Sequence, residues 1–180
     1  MNAILAAGPW RNNAEMIADC ARLGYLHEDW ITLDPTYGLG RFWTVWRPRT
    51  LYASDLDVSK SPCGYPVDFT RTLYPDRSID AVVFDPPYKL NGTSTGTGGA
   101  TCDEDYGVAS YCRWQDRHQL IRDGITECAR VLRFGGYLLV KCQDQVSSGQ
   151  VRWQTREFST HAETLGCRLV DMLHLSSYRG

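Results

Sequence analysis

The sequence predicts an α/β fold with a mainly parallel central sheet and helices on both faces. Short apolar or β-branched runs alternate along the chain with segments of helical period. One run, "SIDAVVFD" (78–85), is apolar enough to be buried on both faces. Acidic residues follow several of the runs, at the strand ends where open α/β sheets bind ligands.

The elements follow in order. "NNAEMIADCARLGYL" sets Met16, Ile17, Cys20, Leu23 and Tyr25 on one helical face, over about 12–24, with Gly24 near its end. "WITLD" (30–34) is a first strand, and "PTYGLG" after it a turn with two glycines. "RFWTVW" is a short helix, "LYASDLD" (51–57) a second strand, "VDF" (67–69) a third strand edge and 78–85 a fourth strand. After a long loop, residues Leu120, Ile121, Ile125, Cys128, Ala129 and Leu132 mark a helix stopped by Gly135-Gly136. "YLLVKC" (137–142) is a fifth strand, "RWQTREFSTHAETLG" a helix and "CRLVDMLHL" a sixth strand. No repeat or linker divides the 180 residues, so a single domain, 1–180, is expected.

Charge and composition narrow the classes. With 43% hydrophobic and 22% charged residues the chain reads as ordinary globular protein. No apolar run nears the roughly 20 residues of a membrane helix, and no secretory pattern opens the chain, so the expected location is cytoplasmic. A net charge of −2 announces no basic field. Two local clusters, Arg41, Arg47 and Arg49, and Arg113, Arg117 and His118, are either a phosphate-binding rim or solvated charges at element ends. The seven cysteines include no C-x-x-C pair, and Cys102, Cys112 and His118 match no familiar zinc spacing. Reduced thiols and no metal are expected, with Cys128 and Cys142 as small core residues.

The chemistry concentrates at strand ends. Asp34 and the Gly38-Leu39-Gly40 turn follow strand one, Asp55 and Asp57 end strand two, Asp68 ends strand three and Asp85 ends strand four. Glycines let backbone approach a ligand, and an acid one strand over suits a ribose. A nucleoside-containing cofactor is therefore expected. G-x-G-x-x-G fails because Trp43 stands at its third glycine, and no G-K-[ST] follows. Many carboxylates suit a cofactor bearing positive charge. Asp85-Pro86-Pro87-Tyr88 can also simply end a strand, but four acidic strand ends in order favour the ligand reading.

In that order, "LDPTYGLGRF", "ASDLD", "VDF" and "FDPPY" resemble the motifs of S-adenosylmethionine-dependent amino methyltransferases. "ECARVLRFGGYLLVK" is similar to the helix, double-glycine turn and strand that follow them, so the resemblance covers roughly residues 30–145. It implies a Rossmann-like methyltransferase fold, S-adenosylmethionine as cofactor and methylation of an exocyclic amino group. The leading target is adenine N6 in DNA, with cytosine N4 behind it. An RNA adenine-N6 or guanine-N2 enzyme and a non-catalytic partner subunit are the alternatives. By position, Asp34, Gly38 and Gly40 would hold the methionine part and Asp55 the ribose. Asp68 would take the adenine amino group, with Phe69 beside the ring, and Asp85, Pro86, Pro87 and Tyr88 would form the target pocket.

The residue types suit that reaction. An amino group on a base has its lone pair delocalised, and the Asp85 carboxylate and Pro86 carbonyl would each accept one of its hydrogens. The prolines stiffen the turn and bring no N–H of their own. Tyr88 offers a face for stacking. Residues 89–118 are expected to be a substrate loop, with Asn91 and its threonines and serines towards phosphates. Residues 89–118 are the one stretch with room for target recognition, so a short site or a partner subunit is expected. The family fold closes with an antiparallel hairpin after its last helix, for which 167–175 supplies one strand.

Overall fold

The computed structural model describes residues 10–90 and 113–175. Four parallel strands, β1 (Ile31–Asp34), β2 (Thr50–Ala53), β3 (Ile79–Phe84) and β4 (Leu132–Val140), pair in the order β2-β1-β3-β4. The chain runs from β1 outward to β2 and then crosses to β3 on the other side of β1. The switch in direction therefore falls between β1 and β3, where carboxyl-end ligand sites form.

Helices cover both faces. Helix α1 (Asn13–Arg22) starts where the Asn12 side chain accepts the Glu15 amide at 3.0 Å, and Gly24 follows its end at φ +84°. Its Ile17 and Cys20 join Phe42, Trp43, Ala81 and Val83 in one core. Helix α2 (Trp114–Val131) packs Ile121, Ile125, Cys128 and Val131 against Leu33, Val82 and Phe84 on the other face. Phe158 of α3 (Gln154–Thr164) completes that second core. Alternate residues of β3 thus enter opposite cores, and the strand is buried on both faces as its composition predicts.

Several expected elements differ. The second strand stops at Ala53 rather than 57: Ser54 still donates to the Asp34 carbonyl at 3.0 Å, but the Asp55 side chain then accepts the Asp57 amide and bends the chain away. "VDF" is no strand: Val67 donates to the Asp55 carbonyl and the Asp68 side chain accepts the Thr70 amide, which makes a turn. "RFWTVW" keeps only a 3₁₀ turn, Arg41–Trp43. The double glycine does not stop α2, which passes straight into β4 at Leu132. Gly135, at φ +73°, instead lies where the β3–β4 register shifts. A Cβ on Gly136 would stand 2.5 Å from the Asp80 carbonyl oxygen, so the strands could not meet there otherwise.

The expected sixth strand is absent from 167–175. Leu169 and Val170 are exposed there, so the segment adds no buried face to the sheet. The segment docks through Leu173 on the α1-side core and through Asp171, which accepts the Tyr25 hydroxyl at 2.8 Å. No closing hairpin follows α3 among the described residues; a separate two-stranded hairpin, β5 (Gln145–Ser147) and β6 (Gln150–Arg152), precedes it and does not join the sheet. Ser148 and Gly149 turn it with φ +54° and +73°, the pairing of positive angles that tight hairpins need. Of the expected loop 89–118, residues 114–118 are the first turn of α2, while 91–112, with Asn91, Cys102 and Cys112, lie outside the described residues. No described helix is long and apolar enough to cross a membrane.

Candidate active site

A cleft of about 340 Å³ opens at the carboxyl ends of β1 and β3. The parallel pairing puts Asp34, the last residue of β1, beside Asp85, the first after β3. Thr36 ties the two ends together: its Oγ1 accepts the Asp85 amide at 2.9 Å and donates to Asp34 Oδ1 at 3.4 Å. The neighbouring ends of β2 and β4 bring Asp55 and Lys141 to the same side of the sheet.

The two acids are held differently. Asp34 accepts the Trp43 indole N–H on Oδ2 at 2.7 Å and the Thr36 amide on Oδ1 at 3.0 Å. Burial nevertheless pushes its carboxyl up to about 7, and the nearby Asp85 adds to the effect. Asp85 is also raised by burial, against the pull of the Lys141 ammonium, which donates to Oδ2 at 3.0 Å. Its Oδ1 is buried, and no donor among the described residues reaches it. A buried acceptor of this kind ordinarily has a partner.

The Asp85-Pro86-Pro87-Tyr88 turn lines the cleft along its whole length. The Pro86 carbonyl accepts the Tyr88 amide at 2.7 Å and keeps its second lone pair. The Tyr88 carbonyl accepts the side-chain amides of Gln145 and Gln154, each at 2.8 Å. Gln145 also accepts the Leu90 amide at 3.1 Å, so β5 and α3 fix the chain as it leaves the turn. Behind Gln154 lies His118, whose Nδ1 meets Glu157 at 2.7 Å.

The remaining expected residues divide. Gly38 lines the cleft with φ +55°, and its amide donates to Asp55 Oδ2 at 2.8 Å. Asp55 stands behind that turn, its other oxygen accepting the Asp57 amide at 2.9 Å, and it does not line the cleft. Gly40 donates to the Tyr37 carbonyl at 2.9 Å and likewise stands back. Asp68 is exposed and holds Thr70. Phe69 packs edge-on against Phe84, ring centres 5.1 Å apart, on the α2 side of the sheet. Neither lines the cleft.

Five cations do line it: Arg41, Lys60, Lys89, Arg117 and Lys141. The two arginine clusters thus split. Arg41 and Arg117 reach the cleft, whereas Arg49 pairs with Glu28 and Asp29 ahead of β1, and Arg113 pairs with Asp116. His118 is fully buried in its contact with Glu157. Asn13, at the start of α1, also lines the cleft, and its Oδ1 is buried with no partner among the described residues. Sequence reading passed over Asn13, Thr36 and Lys141. A charged residue inside the apolar run "YLLVKC" was the one visible signal among them.

Geometrically this is an α/β domain with a mixed-charge cleft at its switch point. Comparison with protein-family models and with curated proteins gives no match.

Proposed function

We propose that the protein transfers a methyl group from S-adenosylmethionine to an exocyclic amino group of a nucleic-acid base, with adenine N6 in DNA as the leading target. The observation that carries the reading is the unpartnered Asp85 Oδ1, at the head of an Asp-Pro-Pro-Tyr turn, where β1 and β3 diverge. The strand order β2-β1-β3-β4 supports a Rossmann-like methyltransferase fold, and the exposed Arg41 on the cleft wall suits a phosphate.

The cofactor's methionine end fits the residues present. Asp34 and Gly38 would hold it, together with the open Asn13 carbonyl oxygen, while Asp55 acts through the Gly38 amide. Asp55, Asp68 and Phe69 stand off the cleft, so its adenosine end draws less support. When bound, the cofactor supplies an electrophilic methyl on a cationic sulfur.

The chain's own groups prepare the nucleophile. Asp85 Oδ1 and the second lone pair of the Pro86 carbonyl accept the two amino hydrogens, which draws the nitrogen lone pair out of conjugation. Burial makes Asp85 a stronger acceptor for the proton the amino group sheds. Tyr88 stacks on the base, worth about 1–3 kcal/mol. In a duplex the base must first leave the stack.

The test offers labelled S-adenosylmethionine with duplex DNA, single-stranded DNA and total RNA, beside an Asp85→Ala variant, and identifies the product nucleoside by mass. N6-methyladenine in DNA, lost in the variant, is the expected result. Label confined to RNA moves the substrate to RNA, and no transfer to any nucleic acid overturns the reading.

A further inference from the structure

We propose that Lys141 is a positioning residue of the cleft, holding Asp85 as a carboxylate turned so that Oδ1 meets the ligand N–H. Lys141 directly follows β4, and its amide donates to the Phe84 carbonyl at 2.9 Å. This extends the β3–β4 ladder one step and sets the lysine beside Asp85. Its Nζ lies 3.0 Å from Asp85 Oδ2, 5.2 Å from the Phe42 ring centre and 5.3 Å from that of Tyr88. One carboxylate oxygen and two aromatic faces therefore locate the ammonium.

Asp85 also feels Lys89 from its own segment and Asp34 from β1, and Arg41, Lys60 and Arg117 stand elsewhere on the cleft wall. Among the described residues, Lys141 is the group that hydrogen-bonds the carboxylate. A buried carboxylate without such a partner takes up a proton instead of keeping its charge. One oxygen would then carry an O–H, and the other would be left a neutral, weaker acceptor. With Oδ2 occupied by Lys141, a single oxygen is left for one N–H, which fixes the side on which an amino group can dock.

The consequence for turnover rests on the methyl-transfer reading, whereas the charge state of Asp85 does not. The experiment follows the carboxyl carbon of Asp85 by NMR in protein labelled with carbon-13 aspartate, the signal being assigned with Asp85→Asn. Wild type is compared with Lys141→Met and Lys141→Arg from acid to alkaline pH. Lys141→Met is expected to move the Asp85 midpoint up by about 1–3 pH units, and Lys141→Arg to leave it near the wild-type value. The acid limb of methyl transfer should move with it. Lys141→Gln, which keeps a donor without charge, is read in the same way if the methionine variant fails to fold. A midpoint unmoved in a folded variant overturns the proposal, and so does an acid limb that stays while the midpoint moves. A moved midpoint in a protein whose wild type transfers no methyl group overturns the reaction but leaves the charge control standing.

Discussion

The side-chain amide of Gln154 donates to the Tyr88 carbonyl at 2.8 Å across 66 residues of sequence. Its oxygen accepts the Gln143 amide at 3.1 Å, and the whole side chain is buried. The residue that opens α3 therefore anchors both the exit of the Pro-Pro turn and the chain leaving β4. Gln154→Leu keeps the volume but strands the Gln143 N–H, a loss on the order of 1–2 kcal/mol. Urea unfolding measures it, and a loss within experimental error would show that the anchor is redundant with Gln145.

Gly124 sits mid-helix, where alanine ordinarily gains about 1 kcal/mol. Here a Cβ would stand 2.5 Å from Phe84 Cζ and 2.8 Å from Phe69 Cδ2. Both rings belong to the core between α2 and the sheet, so overpacking, at about 1–3 kcal/mol, outweighs propensity. Gly124→Ala should lower the melting temperature, and adding Phe69→Leu should recover part of the loss. A stabilised single variant would contradict this packing.

Asp34 makes stability depend on pH. Its carboxyl is raised from 3.8 to about 7 by burial, so the unfolded chain ionises first as pH rises. Between those values the folded protein binds more protons, and stability falls with pH. The contribution is complete below the unfolded value and is lost as pH rises through the folded one. Urea midpoints measured from about pH 4 to 8 should decline less steeply in Asp34→Asn than in wild type. Asp85, raised in the same direction, leaves a residual slope. Equal slopes would place Asp34 in water.

Much of this frame is legible in the sequence, for physical reasons. β3 stands out because it is buried on both faces, and a single polar residue, Asp80, interrupts it. Asp34 and Asp85 come to one side of the sheet because a parallel sheet aligns its strand ends. What sequence did not disclose is where each carboxylate points. Asp34, Asp55, Asp57 and Asp68 each accept the amide two residues on, a local turn habit of aspartate that looks the same as a ligand site when read along the chain. The hairpin escaped notice because Val146, Val151 and Trp153 are exposed and carry no burial pattern, leaving Ser148-Gly149 as its sole mark.

Tyr88 separates stacking from its hydroxyl. Tyr88→Phe keeps the ring and should transfer methyl at a rate near wild type. Tyr88→Ala removes it, and a stacking energy of about 1–3 kcal/mol corresponds to roughly 5- to 150-fold in kcat/KM. The ring also packs partly on the α2-side core, so melting temperatures are compared first. Equal activity of both variants would mean that no base stacks there.

The contact between Tyr25 and Asp171 spans 146 residues. A ribosome adds about 5–20 residues per second, so the hydroxyl waits on the order of ten seconds for its acceptor to be made. Leu173, which covers the same side of the sheet, arrives later still. Before then α1 waits for Ala81 and Val83 of β3, and Tyr25 for the Tyr137 ring, whose centre lies 5.3 Å from its own. The nascent chain thus carries an unfinished apolar flank until these later segments emerge.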